Sequence, residues 1–232
     1  MRQPVSERGR RIRLLEIEGR LDEYYGRPVW SPRYAPVDEL VYTVLSQNTA
    51  DVNTGRTFAA LKAAYPTWSA VRDAPVAEVV AAIGLGGLAA TKGPRIQQIL
   101  RLLSQRSGAP DLGEPDLSEL ADMSNAQALS YLRAMPGVGP KTAACVLMFA
   151  LGRPVMPVDT HVYRVAQRLG LLAPKVSVDR AHEVLTELAG ADNVYAVHVN
   201  FVTHGRRLCH ARRPECGGCP LRDLCPSAAR FT

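Results

Sequence analysis

Cys209, Cys216, Cys219 and Cys225 follow the spacing C-x6-C-x2-C-x5-C, all within seventeen residues. Four thiolates packed this closely are held by a metal centre or joined as disulfides. A C-x2-C pair lets one tight turn present two sulfurs to one metal. Zinc sites generally use two such pairs, or one pair with two histidines. One pair flanked by two outlying cysteines suits the larger iron–sulfur cube better, with zinc and disulfides as the alternatives. The fifth cysteine, Cys145, sits in the apolar run AACVLMFA and reads as a buried core thiol.

A second group with chemistry is MPGVGPKTA, Met135 to Ala143. Gly137 and Gly139 permit a tight hairpin with exposed backbone amides, and Pro140 suits the first turn of the helix that follows. Amides at a helix N-terminus bind anions, and a DNA phosphate is the anion expected for a basic protein. The same pattern also fits an ordinary turn between two helices. Lys141 falls in the first turn of that helix, where the dipole disfavours an ammonium. Partial burial would act the same way, and a lysine neutral part of the time can form a Schiff base. An arginine could not. Asp159, in PVDTHVYRV, reads as the N-cap of the next helix and as a carboxylate able to manage protons or stabilise positive charge.

The rest of the chain must position these groups. Its 232 residues suit one large domain or two small ones, and 47% are hydrophobic, enough for a real core. A net charge of +6 favours a polyanionic partner. Of the 28 basic residues four are lysines, Lys62, Lys92, Lys141 and Lys175, so a lysine here marks a place where arginine would not serve. The stretch MRQPVSERGRRIR is not a secretory signal, and no apolar run is long enough to span a bilayer. A cytoplasmic protein with no membrane partner is expected, where structural disulfides are rare.

Apolar periodicity predicts helices almost throughout: around Leu14–Leu21, then Val37–Gln47, Asn53–Tyr65, Val76–Ile83, Pro94–Arg106, Ala126–Ala134, Lys141–Leu151, Thr160–Gly170, Val178–Ala189 and Asn193–Arg207. Pro66, Pro75, the glycines at 84, 86 and 87 and the turn Asp111–Asp116 separate them. Strand-like alternation is nearly absent, and the fold class is all-α.

LxxMPGVGPKTA, VDTHVYRV and the cysteine loop, in that order, together with LSQNTAD at Leu45–Asp51, closely resemble endonuclease III of the helix-hairpin-helix DNA glycosylase superfamily. The likeness runs from about Leu40 to Cys225. It implies two helical domains with DNA in the cleft between them. One would be a six-helix barrel over 30–153 that holds the hairpin (about 126–150), the other a cluster domain made of 1–29 with 154–232. It implies one [4Fe–4S] cluster per chain, held by Cys209, Cys216, Cys219 and Cys225. Lys141 would attack C1′ of an extruded damaged nucleotide, with Asp159 assisting, which gives a bifunctional glycosylase and AP lyase. Gly137, Val138, Gly139, Thr142, Arg212 and Arg213 would contact duplex DNA that carries damaged bases or abasic sites. The protein would act as a monomer on the bacterial nucleoid.

Lysine at 141 favours oxidised or saturated pyrimidines such as thymine glycol, since monofunctional relatives usually lack it. The seven residues after Cys225 leave no room for a mismatch-recognition domain. Two departures stand out. The glutamine that fills the gap left by the flipped base falls at Asn48, with Gln47 one place early, and either could take that role. The intercalating loop, IGLGGLAAT over Ile83–Thr91, is long and glycine-rich, with Leu85 and Leu88 both as candidates. The other classes to weigh are a non-catalytic hairpin DNA-binding module and an electron-transfer protein.

Overall fold

The computed structural model describes residues 6–105 and 113–231. Among them the chain is all-α, with no strand. It divides into two compact units, Pro32–Leu151 and the remainder, in which the residues up to Ser31 join those from Gly152 onward.

Within Pro32–Leu151, α2 (Pro36–Ser46) begins with proline in its first turn and buries Leu40, Val41, Val44 and Leu45 along one face. That face packs against α3 (Asp51–Ala64), α6 (Ala89–Gln105) and α8 (Pro140–Cys145). Each fully buried leucine contributes roughly 1.5–3 kcal/mol of transfer free energy. Between α3 and α6 lie α4 (Trp68–Asp73), α5 (Val76–Ala82) and a 3₁₀ turn, Gly84–Gly86. A short 3₁₀ helix, Ser118–Asp122, precedes α7 (Asn125–Arg133), which a reciprocal Ser124–Gln127 capping box starts. Past Cys145 the helix continues as a π turn, Val146–Ala150.

Two local expectations need correction. Trp68–Asp73, flanked by Pro66 and Pro75, forms a short helix that Thr67 caps through the Ala70 amide. Helix α6 begins at Ala89 rather than Pro94, so Ala89–Thr91 belong to the helix and not to a loop. Pro94 sits inside that helix, beside Gly93, where a Cβ would stand 2.8 Å from Val80 Cγ2 of α5. Close helix packing explains the glycine inside the helix. The C-terminal end expected at Arg106, and part of the Asp111–Asp116 turn, lie outside the described residues.

In the other unit α1 (Glu7–Tyr25) lays Leu14, Ile17 and Leu21 against α10 (Val178–Ala189) and α11 (Val194–Arg207). Helix α9 (Thr160–Arg168) packs on α11 so closely that a Cβ at Gly205 would lie 2.9 Å from His161 Cβ. Arg27 joins Glu18, Asp22 and Asn193 at the end of α1. Among the described residues no helix is long and apolar enough to cross a membrane.

Candidate active site

The turn from α7 to α8 carries the hairpin. Gly137 adopts φ +71°, a left-handed conformation that a side chain would strain. The amides of Gly137 and Gly139 take no partner among the described residues, and Gly139 leads directly into the N-terminus of α8. Two donors aimed at one end of a helix can hold a phosphate oxygen. Val138 does not join them: its side chain is buried and its amide donates to the Met135 carbonyl at 3.2 Å. Thr142 is also buried, and its hydroxyl accepts from Gln47 Nε2 at 3.2 Å.

Gln47 is thus a hairpin residue. Its amide nitrogen also donates to the Gly137 carbonyl at 3.1 Å, and its Oε1 accepts from Arg95 Nη1 at 3.3 Å. Asn48 beside it is exposed and held at φ +53°. Leu85 and Leu88 are 66% and 57% exposed, and Leu88 also has a positive φ of 54°. Large apolar groups held out this way by constrained backbone suit insertion into a base stack.

Lys141 lies half-buried in the first turn of α8, one helical turn before Cys145. Burial pushes the Cys145 thiol up, and the positive charge of the neighbouring Lys141 pulls the other way. Nearby, the fully buried Glu39 carboxylate accepts from Arg33 Nε at 2.9 Å and from Thr43 Oγ1 at 3.0 Å. The Arg33 guanidinium stacks on Phe149 and Tyr42, with 4.4 and 4.7 Å to the ring centres. Burial opposes the charge on Arg33, but Glu39 outweighs it and the pKa rises.

In the other unit Asp159 caps α9 as expected, its Oδ1 accepting from the His161 and Val162 amides at 2.9 and 2.7 Å. Both bonds use Oδ1, so Oδ2 remains open to a further partner.

All five cysteines are free thiols, which removes the disulfide alternative. Cys209, Cys216, Cys219 and Cys225 ring one cavity, walled by Val165, Leu169, Leu208 and Leu221, with about 420 Å³ of atom-free space partly open to solvent. Arg168 clasps this loop. Its Nη1 donates to Cys209 Sγ at 3.2 Å and to the His210 carbonyl at 2.7 Å, and Nη2 donates to the Ala211 carbonyl at 3.0 Å. The Leu221 amide donates to Cys219 Sγ at 3.4 Å. Donors aimed at sulfur suit thiolate ligands, so the residues present fit an iron–sulfur cluster. Burial lowers His204, which lies 3.6 Å from Cys219 Sγ, to about 4. Arg212 and Arg213, between Cys209 and Cys216, are exposed.

Residues 41–190 match the family model of the HhH-GPD superfamily base excision DNA repair proteins, nearly two thirds of the chain. The chain belongs to the HhH-GPD superfamily. It is a base excision DNA repair enzyme of the glycosylase and lyase type. Residues 209–225 match the iron–sulfur binding domain of endonuclease III, so the cysteine loop is an iron–sulfur site. Endonuclease III of Escherichia coli (strain K12) is 33% identical over 212 residues, which cover 91% of this chain and 93% of that one. A protein of Arabidopsis thaliana named as a DNA glycosylase is 36% identical over 171 residues, 73% of this chain but 56% of its own length. The solved structure of a non-covalent endonuclease III–DNA complex superposes with a TM-score of 0.80 at 25% identity, over 95% of this chain and 97% of that one.

Two residues at the site carry no signal in the sequence and a third carries only a slight one. Arg95 lies across the hairpin, Arg168 holds the cysteine loop, and Lys92 is buried beneath Thr49 and Gly86. Only Lys92 had a hint, as one of few lysines in an arginine-rich chain.

Proposed function

We propose that the chain is a bifunctional DNA glycosylase and AP lyase that removes oxidised or saturated pyrimidines of the thymine glycol type from duplex DNA. The observation that carries this reading is the position of Lys141, in the first turn of a helix entered through a hairpin with unpartnered glycine amides. The amides of Gly137 and Gly139 hold a phosphate, which brings the sugar of an extruded nucleotide to the amine. The neutral Lys141 amine attacks C1′, the bond from C1′ to the base breaks, and the base leaves with a proton. Opening of the sugar ring yields an imine between Lys141 and C1′. Loss of a C2′ proton then expels the 3′ phosphate by β-elimination. We assign to Asp159 the stabilisation of positive charge and the transfer of protons in these steps.

Leu85 or Leu88 enters the base stack and Asn48 occupies the space left by the flipped nucleotide, since Gln47 is already engaged by the hairpin. Arg212 and Arg213 take phosphates. One [4Fe–4S] cluster per chain is held by Cys209, Cys216, Cys219 and Cys225. Supporting a cluster, the four thiols ring a shared cavity with apolar walls. When bound, it supplies structural ligation free energy that orders residues 209–225. The enzyme works as a monomer.

Borohydride trapping on a duplex with one thymine glycol tests the reading. A covalent protein–DNA adduct is expected. Binding without any adduct or strand cleavage would reduce the chain to a hairpin DNA-binding module, with Lys141 a phosphate contact.

A further inference from the structure

Lys92 is 2% exposed, unusual for a residue that carries a charge. Its ammonium has three donors, and three oxygens surround it: the Leu45 carbonyl at 2.7 Å, Thr49 Oγ1 at 2.7 Å and the Gly86 carbonyl at 3.3 Å. Thr49 Oγ1 also bonds the Gly86 carbonyl. Leu45 and Thr49 bracket the turn that presents Gln47 and Asn48, while Gly86 lies between Leu85 and Leu88. The two turns are otherwise built locally, with the Thr49 amide donating to Ser46 and the Gly86 amide to Ile83. Gly86 packs closely on α3, where an added Cβ would meet Thr57 Oγ1 at 2.9 Å.

We infer that Lys92 is a positioning residue that locks the Gln47–Thr49 turn to the Gly84–Leu88 turn, so that both enter duplex DNA as one rigid element. The inference rests on the reading of the chain as an enzyme that extrudes a base. A tetrahedral ammonium with three donors matches three converging oxygens; a planar guanidinium does not, which explains a lysine in a chain that otherwise prefers arginine. Each of the two turns carries one non-glycine residue with positive φ, Asn48 and Leu88, and such conformations persist only where surroundings hold them. Without the ammonium, the Leu45 and Gly86 carbonyls would lose a charge-assisted partner and the Thr49–Gly86 bond alone would join the turns.

The test uses Lys92→Met in the full-length, cluster-loaded protein, with two measurements. Hydrogen exchange on free protein should show the Thr49 and Gly86 amides both losing protection in the variant, while the core of α2 keeps its own. On DNA, excision of thymine glycol from intact duplex should fall about tenfold or more, the loss of a hydrogen bond to a charged group. Cleavage of a preformed abasic site should fall by a smaller factor, because that site is already unstacked. Unchanged exchange at both amides, or equal losses on both substrates, would overturn the inference. If wild-type protein cleaved neither substrate, the proposed activity would fail while the exchange result still decided the coupling. Should Lys92→Met not fold, Thr49→Val removes one of the three oxygens and its bond to the Gly86 carbonyl, while the ammonium keeps the Leu45 and Gly86 carbonyls. A smaller loss of protection at both amides is then expected, and unaltered exchange at both would refute the coupling.

Discussion

A Cβ atom added at Gly137 would stand 2.4 Å from Arg95 Cδ, so the arginine lies directly over the hairpin glycine. Arg95 also donates to Gln47, whose amide bonds the Gly137 carbonyl. The hairpin is therefore braced from α6 as well as by its own turn. Gly137→Ala must place a side chain at φ +71° and displace Arg95. It should lower unfolding free energy by about 1–2 kcal/mol from the left-handed conformation alone. Duplex affinity should fall with it. Denaturant titration and binding isotherms check both, and an unaltered variant would remove the constraint assigned to this glycine.

The exposed leucines give a separable prediction. Leu85→Ala or Leu88→Ala, whichever enters the base stack, should strongly slow excision from duplex DNA and slow cleavage of a preformed abasic site less. Holding a duplex open costs a few kcal/mol, and an unstacked site requires less of it. If both truncations leave the duplex rate unchanged, intercalation falls to Asn48.

Loss of one cluster ligand should act through folding. Cys216→Ser or Cys219→Ser is expected to lose iron and the visible colour of thiolate-ligated iron, to unfold residues 209–225 and to weaken DNA binding. Metal analysis, visible absorption and limited proteolysis check this. A colourless, zinc-loaded and fully active wild-type protein would contradict the assignment.

Burial lowers the Lys92 pKa below its ordinary 10.5. Between the folded and unfolded values the unfolded chain binds more protons, so stability rises with pH in that window. Below the folded value the penalty for the buried charge is fully present. Unfolding free energy of the wild type, measured relative to Lys92→Met, should therefore increase as pH climbs toward 10.5. A relative stability that is flat or falling there would contradict the shift.

Much of the site could be read from local sequence. Asp159 caps the helix that begins one residue later, and the hairpin glycines sit where a turn must enter α8. The cysteine spacing speaks through bonds within a single loop. Lys92 and Arg95 could not be read this way, because their partners Leu45, Thr49 and Gln47 stand more than forty residues away in sequence. Gly93 and Pro94 looked like the boundary of a helix, yet close packing against Val80 keeps them inside one. Val138 gives its apolar side chain to the core and its amide to the turn, which the local pattern did not show. Local pattern located the elements, whereas tertiary neighbours decided which groups stay free to meet DNA.

The central claim is that the Lys141 amine forms the covalent bond to deoxyribose. Borohydride reduction of the enzyme on thymine glycol duplex, followed by proteolysis and mass spectrometry of the nucleotide-bearing peptide, tests it most directly. The adduct should map to Lys141, and Lys141→Gln should bind damaged DNA yet give no adduct and no strand cleavage. An adduct on another amine, or trapping that persists undiminished in Lys141→Gln, would contradict the claim.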